Sequence, residues 1–198
     1  MKKIVFYSPI LLIMVLSIFF YYSLGIENTK IESPLIGKDV PKFSLKQLDN
    51  NNYFTNKDLE NDDYIKFINV WSSWCIPCRA EHEVLKIIAK IDNVEIYGIN
   101  YKDNEQEALN FINELGNPYK KIGVDNTGRT SIEWGVFGVP ETYIVFAGKV
   151  IYKHIGPIHL SELESKILPI LRKLKYWRIL LFHMFYFFFF YLHLIYLL

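Results

Sequence analysis

The chain carries almost no net charge, and it contains only 2 cysteines and 5 histidines. Its 22 basic and 21 acidic residues leave a formal charge of +1 over 198 residues, and the lysines are interleaved with Asp and Glu. The sequence shows no cluster of basic residues that would bind the phosphates of a nucleic acid, so we exclude nucleic acid as a partner. A structural zinc site needs four ligands, and a second Cys or His pair at close spacing is missing, so no metal site is predicted.

The N-terminus lacks charge beyond its first residues and lacks the small residues that precede signal-peptide cleavage. After Lys2 and Lys3, the run from Ile4 to Leu24 is uncharged and matches the ~20 residues that cross a bilayer as a helix. Phe19 to Tyr22 occupy the zone of an A-x-A site, which favours an uncleaved transmembrane anchor over residues 1–25. The two lysines place the following domain outside the cytoplasm, on the periplasmic side of a bacterial inner membrane.

Composition divides the rest of the chain into three parts. Residues 26–39 mix charged residues with Gly and Pro, without apolar periodicity, and predict a linker. Residues 40–175 have the size of one globular domain. Residues 176–198 form an apolar aromatic tail that is long enough to span a membrane, but the basic residues just before it would then lie on the disfavoured side. A second membrane segment, an interfacial segment and a non-native extension are all open.

Hydrophobic periodicity in the domain predicts strands that alternate with helices. We expect a hairpin around residues 49–52, strands over 64–71, 94–100, 121–124, 142–146 and 150–154, and helices over 77–91, 104–115 and 161–174. Ser161 is the expected N-cap of the last helix, with Glu164 completing a capping box. Parallel strands joined by helices, then an antiparallel pair and a terminal helix, predict an α/β thioredoxin-like fold with a central mixed sheet flanked by helices.

The two cysteines form a C-x-x-C motif. Cys75 and Cys78 follow the strand over 64–71 and open a helix in which Pro77 fits the first turn. This context is typical of a redox-active dithiol, whose disulfide is the only redox group it needs. The amides and dipole of a helix N-terminus stabilise a thiolate, so Cys75 is the predicted exposed nucleophile. Cys78, expected to be more buried, resolves the mixed disulfide.

Other uses of the cysteine pair fit less well. Covalent haem attachment needs C-x-x-C-H, and Arg79 occupies the histidine position. A purely structural disulfide across two residues restrains the unfolded chain little. A copper-binding chaperone needs a further ligand and gives no role to the Gly-flanked pair Val139 and Pro140. A cis Pro140 would expose backbone groups of Val139 for β-like pairing with a substrate, whereas a trans turn is the alternative.

Four blocks of the sequence resemble one protein family. They lie at residues 69–82, 97–103, 114–119 and 135–142, and include WCIPCRAEH and GVFGVPET. In this order they resemble the periplasmic thioredoxin-like proteins of cytochrome c maturation, called DsbE or CcmG. The resemblance covers about residues 40–174 and implies a thioredoxin fold, a cis Pro140 and a single N-terminal anchor. The aromatic tail departs from it.

The resemblance also implies a function. Such proteins are thiol:disulfide oxidoreductases that keep the C-x-x-C-H thiols of apocytochrome c reduced for haem attachment, with electrons from a membrane reductant of the DsbD type. The implied partners are therefore apocytochrome c or the haem-ligation machinery, and that reductant. A general extracytoplasmic reductase of the same superfamily is the alternative, and a copper-binding chaperone is the alternative from another class.

The family places acidic residues near the dithiol, and the matching positions are Glu81 and Glu141. A carboxylate close to a thiolate raises the cysteine pKa and favours a reductant. In the alternative interpretation both carboxylates are solvated, Glu81 near a helix start and Glu141 at a strand start. Pro77 and Trp74 are the other residues expected to tune the site. Trp74, before the nucleophile, could shield the site and contact partners, and a half-exposed packing residue is the alternative. Tyr101 and Asp103 could border the substrate groove, and a solvated loop, which base rates favour, is the alternative.

Overall fold

The computed structural model describes residues 11–19, 33–61 and 63–176. The chain divides into two units, Met1–Glu32 and Ser33–Leu198. In the first unit residues 11–19 are helical, and the remainder of the predicted anchor lies outside the described residues, as does the predicted tail beyond residue 176. Among the described residues, no helix combines the length and the apolar character that a membrane crossing requires. All elements named below belong to the second unit.

Within residues 33–61 and 63–176, seven strands form two sheets. The hairpin predicted around residues 49–52 is present, with β1 (Ser44–Lys46) antiparallel to β2 (Tyr53–Thr55). The other strands build a five-stranded sheet: β3 (Ile65–Trp71), β4 (Val94–Tyr101), β5 (Lys121–Asp125), β6 (Glu141–Phe146) and β7 (Lys149–Ile155). Its order is β5-β4-β3-β6-β7. The first three strands are parallel, while β6 and β7 are antiparallel to their neighbours, so the predicted mixed sheet is confirmed.

In the described part of the second unit, four α-helices accompany the sheets. They are α1 (Ile76–Ile88), α2 (Glu105–Leu115), α3 (Arg129–Glu133) and α4, which starts at Leu160–Glu162, passes through a π-helical turn at Leu163–Ile167 and continues to residue 176. A 3-10 helix, Asn56–Leu59, follows β2. The short helix α3 was not predicted, because five residues are too few to show a helical period.

The sheet separates two apolar cores. Alternate residues of β3 point to opposite faces, so Phe67 joins the cluster that includes α1, α2 and α4, whereas Ile68 and Val70 join the cluster that includes β1, β2 and Trp134. Both cysteines belong to the first cluster. The redox motif is therefore set into the core on the α1 face of the sheet.

Two boundaries differ from the sequence prediction. Residues 33–40, predicted as part of the linker 26–39 and its junction, already pair with β7, since the Gly37 amide donates to Val150 at 2.7 Å and the Val40 amide to Gly148 at 2.9 Å. The predicted N-cap Ser161 is wrong, because α4 begins earlier. Its N-cap is His159, whose amide donates to the Glu162 carboxylate at 3.4 Å, and the box partner is thus Glu162 instead of Glu164.

Candidate active site

The end of β3 delivers the cysteines to the start of α1. Cys75 is the N-cap of α1, and Pro77 lies in the first turn, where its missing amide hydrogen costs no helical bond. The two sulfurs form a disulfide, with 5.3 Å between the Cα atoms, and Cys75 Sγ accepts the Cys78 amide at 3.2 Å. The predicted contact of Cys75 with a helix N-terminus is confirmed.

The surroundings of the disulfide differ from the expectation of one exposed and one buried cysteine. Cys75 is 4% exposed and Cys78 is 2% exposed, so an exposed Cys75 is wrong for this disulfide form. The neighbours Trp74 and Ile76 are instead 58% and 83% exposed. Apolar side chains therefore form the surface around the disulfide, and a partner sulfur must approach between them.

Glu81 lies one turn after Cys78 on the same helix and is fully buried. The alternative interpretation, in which Glu81 is solvated, is therefore wrong. Its oxygens accept two hydrogen bonds, one from Asn69 Nδ2 at 2.8 Å and one from the Ile158 amide at 2.9 Å. Burial raises the pKa of Glu81 to about 7, although both hydrogen bonds favour the charged form and act against this rise. Glu81 can thus gain or lose a proton near neutral pH.

Asn69 organises the polar contacts of this buried carboxylate. Its side-chain amide donates both to Glu81 and to the Thr142 hydroxyl, the latter at 3.0 Å, and its carbonyl oxygen accepts the Tyr119 hydroxyl at 2.8 Å. These three bonds fix the orientation of the Asn69 amide, so that a donor always faces Glu81. Neither Asn69 nor Tyr119 was predicted as a site residue. The available signal was an Asn among the apolar residues that follow Lys66 in β3.

The loop before Cys75 is tied to the loop after β4. The Asp103 carboxylate accepts the Ser73 amide at 2.6 Å and the Ser73 hydroxyl at 2.7 Å. The Ser72 hydroxyl donates to the Tyr101 carbonyl at 2.5 Å. Tyr101 and Asp103, predicted to border the groove, therefore lie against the cysteine loop, where the bonds seen for them fix that loop.

Trp74 also contacts the loop after β4, because its indole Nε1 donates to the Lys102 carbonyl at 3.2 Å. On its other side it borders a groove of about 250 Å³. Phe111 and Asn110 of α2 line this groove, together with the ion pair of Arg79 and Glu114, whose atoms are 2.7 Å apart. Trp74 is thus held in place at its polar edge while its ring stays accessible.

The loop before β6 reaches the same edge of the sheet as the cysteine loop, because Glu141 at the start of β6 pairs with Val70 near the end of β3. The Val139–Pro140 bond is cis, as predicted. Pro140 is buried, and Val139 is half-buried. Glu141 is fully buried, so the interpretation that it faces water is wrong.

No cluster of three or more His, Cys, Asp or Glu side chains suited to a metal ion occurs within residues 11–19, 33–61 and 63–176. The buried His82 uses Nε2 on the Gly116 carbonyl at 2.8 Å, and burial lowers its pKa. The groups assembled at the site are therefore a disulfide, a buried carboxyl and a loop with a cis-proline. This set is suited to thiol–disulfide exchange with proton transfer.

Comparison with known proteins agrees with this geometry. The sequence profile of the Redoxin family matches residues 35–167. The chain is 35% identical over 179 residues to the thiol:disulfide interchange protein DsbE of Escherichia coli, which covers 87% of this chain and 96% of that protein. It is 47% identical over 110 residues to the thiol:disulfide interchange protein CycY of Rhizobium leguminosarum bv. viciae, which covers 55% of this chain and 59% of that protein.

Among solved structures, the chain is similar in fold to a secreted disulfide oxidoreductase of Mycobacterium tuberculosis that is homologous to Escherichia coli DsbE. The TM-score is 0.56, and the match covers 65% of this chain and 96% of that one at 17% identity. At this identity the likeness concerns the fold alone. It agrees with the predicted thioredoxin-like arrangement.

Proposed function

This chain belongs to the Redoxin family as a thiol:disulfide oxidoreductase of the DsbE type, and from that premise we propose that it reduces the C-x-x-C-H disulfide of apocytochrome c before haem attachment. The proposal of this substrate rests on the four sequence blocks that resemble the cytochrome c maturation proteins. The enzyme needs no cofactor beyond Cys75 and Cys78. Its electrons would come from a membrane reductant of the DsbD type.

The exchange runs in two steps. The Cys75 thiolate attacks one sulfur of the substrate disulfide, forms a mixed disulfide and releases the other substrate sulfur as a thiolate, which takes up a proton. Cys78 then attacks Cys75 Sγ, which frees the second substrate thiol and leaves the Cys75–Cys78 disulfide seen in the structure. Two electrons pass to the substrate, and the reductant must return two to the enzyme.

The observation that carries the assignment as a reductant is the buried carboxyl of Glu81. Residues three apart on a helix are neighbours, so Glu81 lies beside Cys78. When Glu81 is ionised, its charge disfavours a thiolate on Cys78, raises the pKa of that thiol and makes the reduced form a better electron donor. When protonated, it can supply a proton to a sulfur during exchange.

We further propose that residues 1–25 anchor the enzyme in a bacterial inner membrane, with the domain on the periplasmic side. The uncharged run behind Lys2 and Lys3 supports this topology. In that location the enzyme meets secreted apocytochromes as well as a membrane reductant. The apolar surface of Trp74 and Ile76 beside the disulfide suits contact with unfolded polypeptide.

Trapping tests the substrate. A Cys78→Ser protein cannot resolve the mixed disulfide, so in cells it should accumulate a covalent complex that contains apocytochrome c or a component of haem ligation. The matched control is Cys75→Ser/Cys78→Ser, which should trap nothing. Capture of unrelated exported proteins without any apocytochrome or ligation component would indicate a general reductase. If Cys78→Ser traps no partner while the parent protein reduces disulfides, the assigned order of attack is wrong.

A further inference from the structure

The carboxylate of Glu141 lies on the face of the sheet opposite α1. Thr142 bonds Asn69, and Asn69 in turn bonds Glu81 of α1, so Thr142 points to the α1 face. Side chains alternate along a strand, which turns Glu141 to the other face. There it contacts the Tyr143 hydroxyl at 3.1 Å, two residues further along β6. Glu141 is therefore separated by the sheet from the helix that carries Cys78.

The charge of Glu141 is offset by a buried partner. Lys153 Nζ of β7 lies 2.9 Å from Glu141 Oε2, and the two side chains are only 3% and 1% exposed. A buried carboxylate with an ammonium group at this distance exerts little net field on a more distant thiol. Electrostatic control of the dithiol, the role first expected for Glu141, thus falls to Glu81.

The same ion pair holds the loop that leads to the cis-proline at two main-chain points. Glu141 Oε1 accepts the Phe137 amide at 3.1 Å, and Lys153 Nζ donates to the Gly135 carbonyl at 2.7 Å. The Lys153 ammonium also lies 4.7 Å from the centre of the Phe137 ring, which is 73% exposed. Main-chain groups fixed by charged partners are held more firmly than groups with neutral ones.

We propose that Glu141 and Lys153 are positioning residues that hold the loop of residues 135–140 in the shape that receives a partner disulfide. This loop lies at the end of the sheet where the cysteine loop leaves β3. Its shape therefore governs how a substrate chain lies against Cys75. The pair acts on partner binding and leaves the charge of the dithiol unchanged. This inference rests on the disulfide reductase activity of the preceding section.

The test separates binding from thiol chemistry, with a peptide that carries an oxidised C-x-x-C-H motif as the disulfide substrate. In Glu141→Gln the amide carbonyl still accepts from Phe137, but the buried Lys153 loses its counter-charge and the loop loosens. We expect the KM for this peptide to rise about tenfold, as loss of a charge-assisted buried contact implies, with kcat within about twofold and an unchanged Cys75–Cys78 reduction potential. The double variant Glu141→Gln/Lys153→Met leaves no unpaired charge but also loses the contact with the Gly135 carbonyl, so its KM should stay raised about tenfold. A return of its KM to the parent value would show that the unpaired charge, and not the loop contacts, caused the rise.

The control is Glu133→Gln, which removes an exposed carboxylate of α3 and should leave KM unchanged. The inference would be overturned if Glu141→Gln shifted the Cys75–Cys78 reduction potential and left KM unchanged. It would also be overturned if neither the reduction potential nor KM changed. Amide exchange of the unmodified protein is a second measurement if the variants do not fold. Slow exchange at Phe137 is expected, and exchange at the rate of an open peptide contradicts the proposed loop contact. Failure of the parent to reduce the C-x-x-C-H peptide disulfide would instead contradict the reductase function.

Discussion

The environment of Glu81 disfavours the ionised form of its carboxyl group, although two hydrogen-bond donors face its oxygens. Asn69 and the Ile158 amide stabilise the carboxylate, yet burial dominates and raises its pKa from an ordinary 4.5 to about 7. Below pH 4.5 Glu81 is protonated in both the folded and the unfolded chain. Between pH 4.5 and about pH 7 the unfolded chain loses this proton while the folded chain retains it. The free energy of unfolding therefore falls as the pH rises through this range.

Replacement of Glu81 by Gln should therefore remove a specific part of the pH dependence of stability. The difference between 4.5 and about 7 corresponds to about 3 kcal/mol, which the parent loses between these pH values and the variant does not. Urea unfolding of the disulfide form at several pH values measures this. At low pH the variant itself is expected to be less stable, because its NH₂ group faces one of the two donors.

Glu83→Gln is the matched control for this prediction. Glu83 lies two residues further along α1, and its exposed side chain pairs with Lys86 at 2.7 Å. Its replacement should leave the loss of stability between pH 4.5 and 7 in place. If Glu81→Gln shows the same loss as Glu83→Gln, the carboxyl of Glu81 does not titrate in this range.

At the residue scale, the reacting residues are easier to identify from the sequence than the residues that hold them in position. Cys75 and Cys78 follow from spacing and from the strand before them. Glu81 follows only from the family resemblance, and its burial does not, because an acid near a helix start is usually solvated. Asn69 and Lys153 were missed because their contacts depend on the tertiary fold. Asn69 meets Glu81 only through the packing of α1 on β3, and Lys153 meets Glu141 only through the pairing of β6 with β7.

At the scale of the elements, the loop between β3 and α1 is held by hydrogen bonds to the end of β4 and to the loop after it. The loop between β3 and α1 has no regular structure of its own, and its shape is set by acceptors on the loop after β4. A cysteine at a helix N-cap is useful only if the preceding residues are fixed, because they determine how the sulfur faces a partner. The loop after β4 therefore belongs to the functional unit.

Asp103→Ala should loosen the cysteine loop. The variant removes the acceptor of the Ser73 amide and hydroxyl and of Asn100 Nδ2, which lies 2.8 Å away. Half-buried donors left without an acceptor cost about 1–3 kcal/mol, so the free energy of unfolding should fall by about that amount. Amide exchange at Ser73 should also become faster. Both effects are measurable by urea unfolding and by hydrogen exchange.

Asp92→Ala provides the comparison, because Asp92 is an exposed aspartate in the turn between α1 and β4. Asp92→Ala should change the free energy of unfolding by no more than about 0.5 kcal/mol, and the amide exchange rate at Ser73 should change by no more than the corresponding factor. Equal effects of the two variants would show that the contacts of Asp103 do not stabilise the cysteine loop.

At the element scale, period and turn chemistry predict most of the sheet and the long helices. The strand predicted over 64–71 is present as Ile65–Trp71, and the helix predicted over 77–91 starts one residue earlier, at Ile76, and ends three residues earlier, at Ile88. The start of α4 was misplaced because Ser161 and His159 both precede an acid by three residues, and only the fold decides that Glu162 serves as the box partner. It does so while Glu162 also pairs with Lys166 at 2.8 Å.

At the scale of the whole molecule, the proposed topology combines a cytoplasmic N-terminus with an external domain. Lys30 lies in the predicted linker, before the folded unit that starts at Ser33. A protease that cleaves after lysine can therefore release the folded unit without cutting within it. This gives a test of topology that does not depend on the activity of the enzyme.

Trypsin added to intact spheroplasts should cleave the chain after Lys30, because the proposed anchor over residues 1–25 would leave this linker on the outer side. The product is a fragment that begins at residue 31, detected with an antibody against the domain, and Lys30→Gln should suppress this product. A cytoplasmic protein must stay intact as the control for sealed membranes. Cleavage only after membrane disruption would place the domain inside. A cleaved fragment that sediments with the membranes would identify the tail over 176–198 as a second attachment, since the anchor no longer holds it.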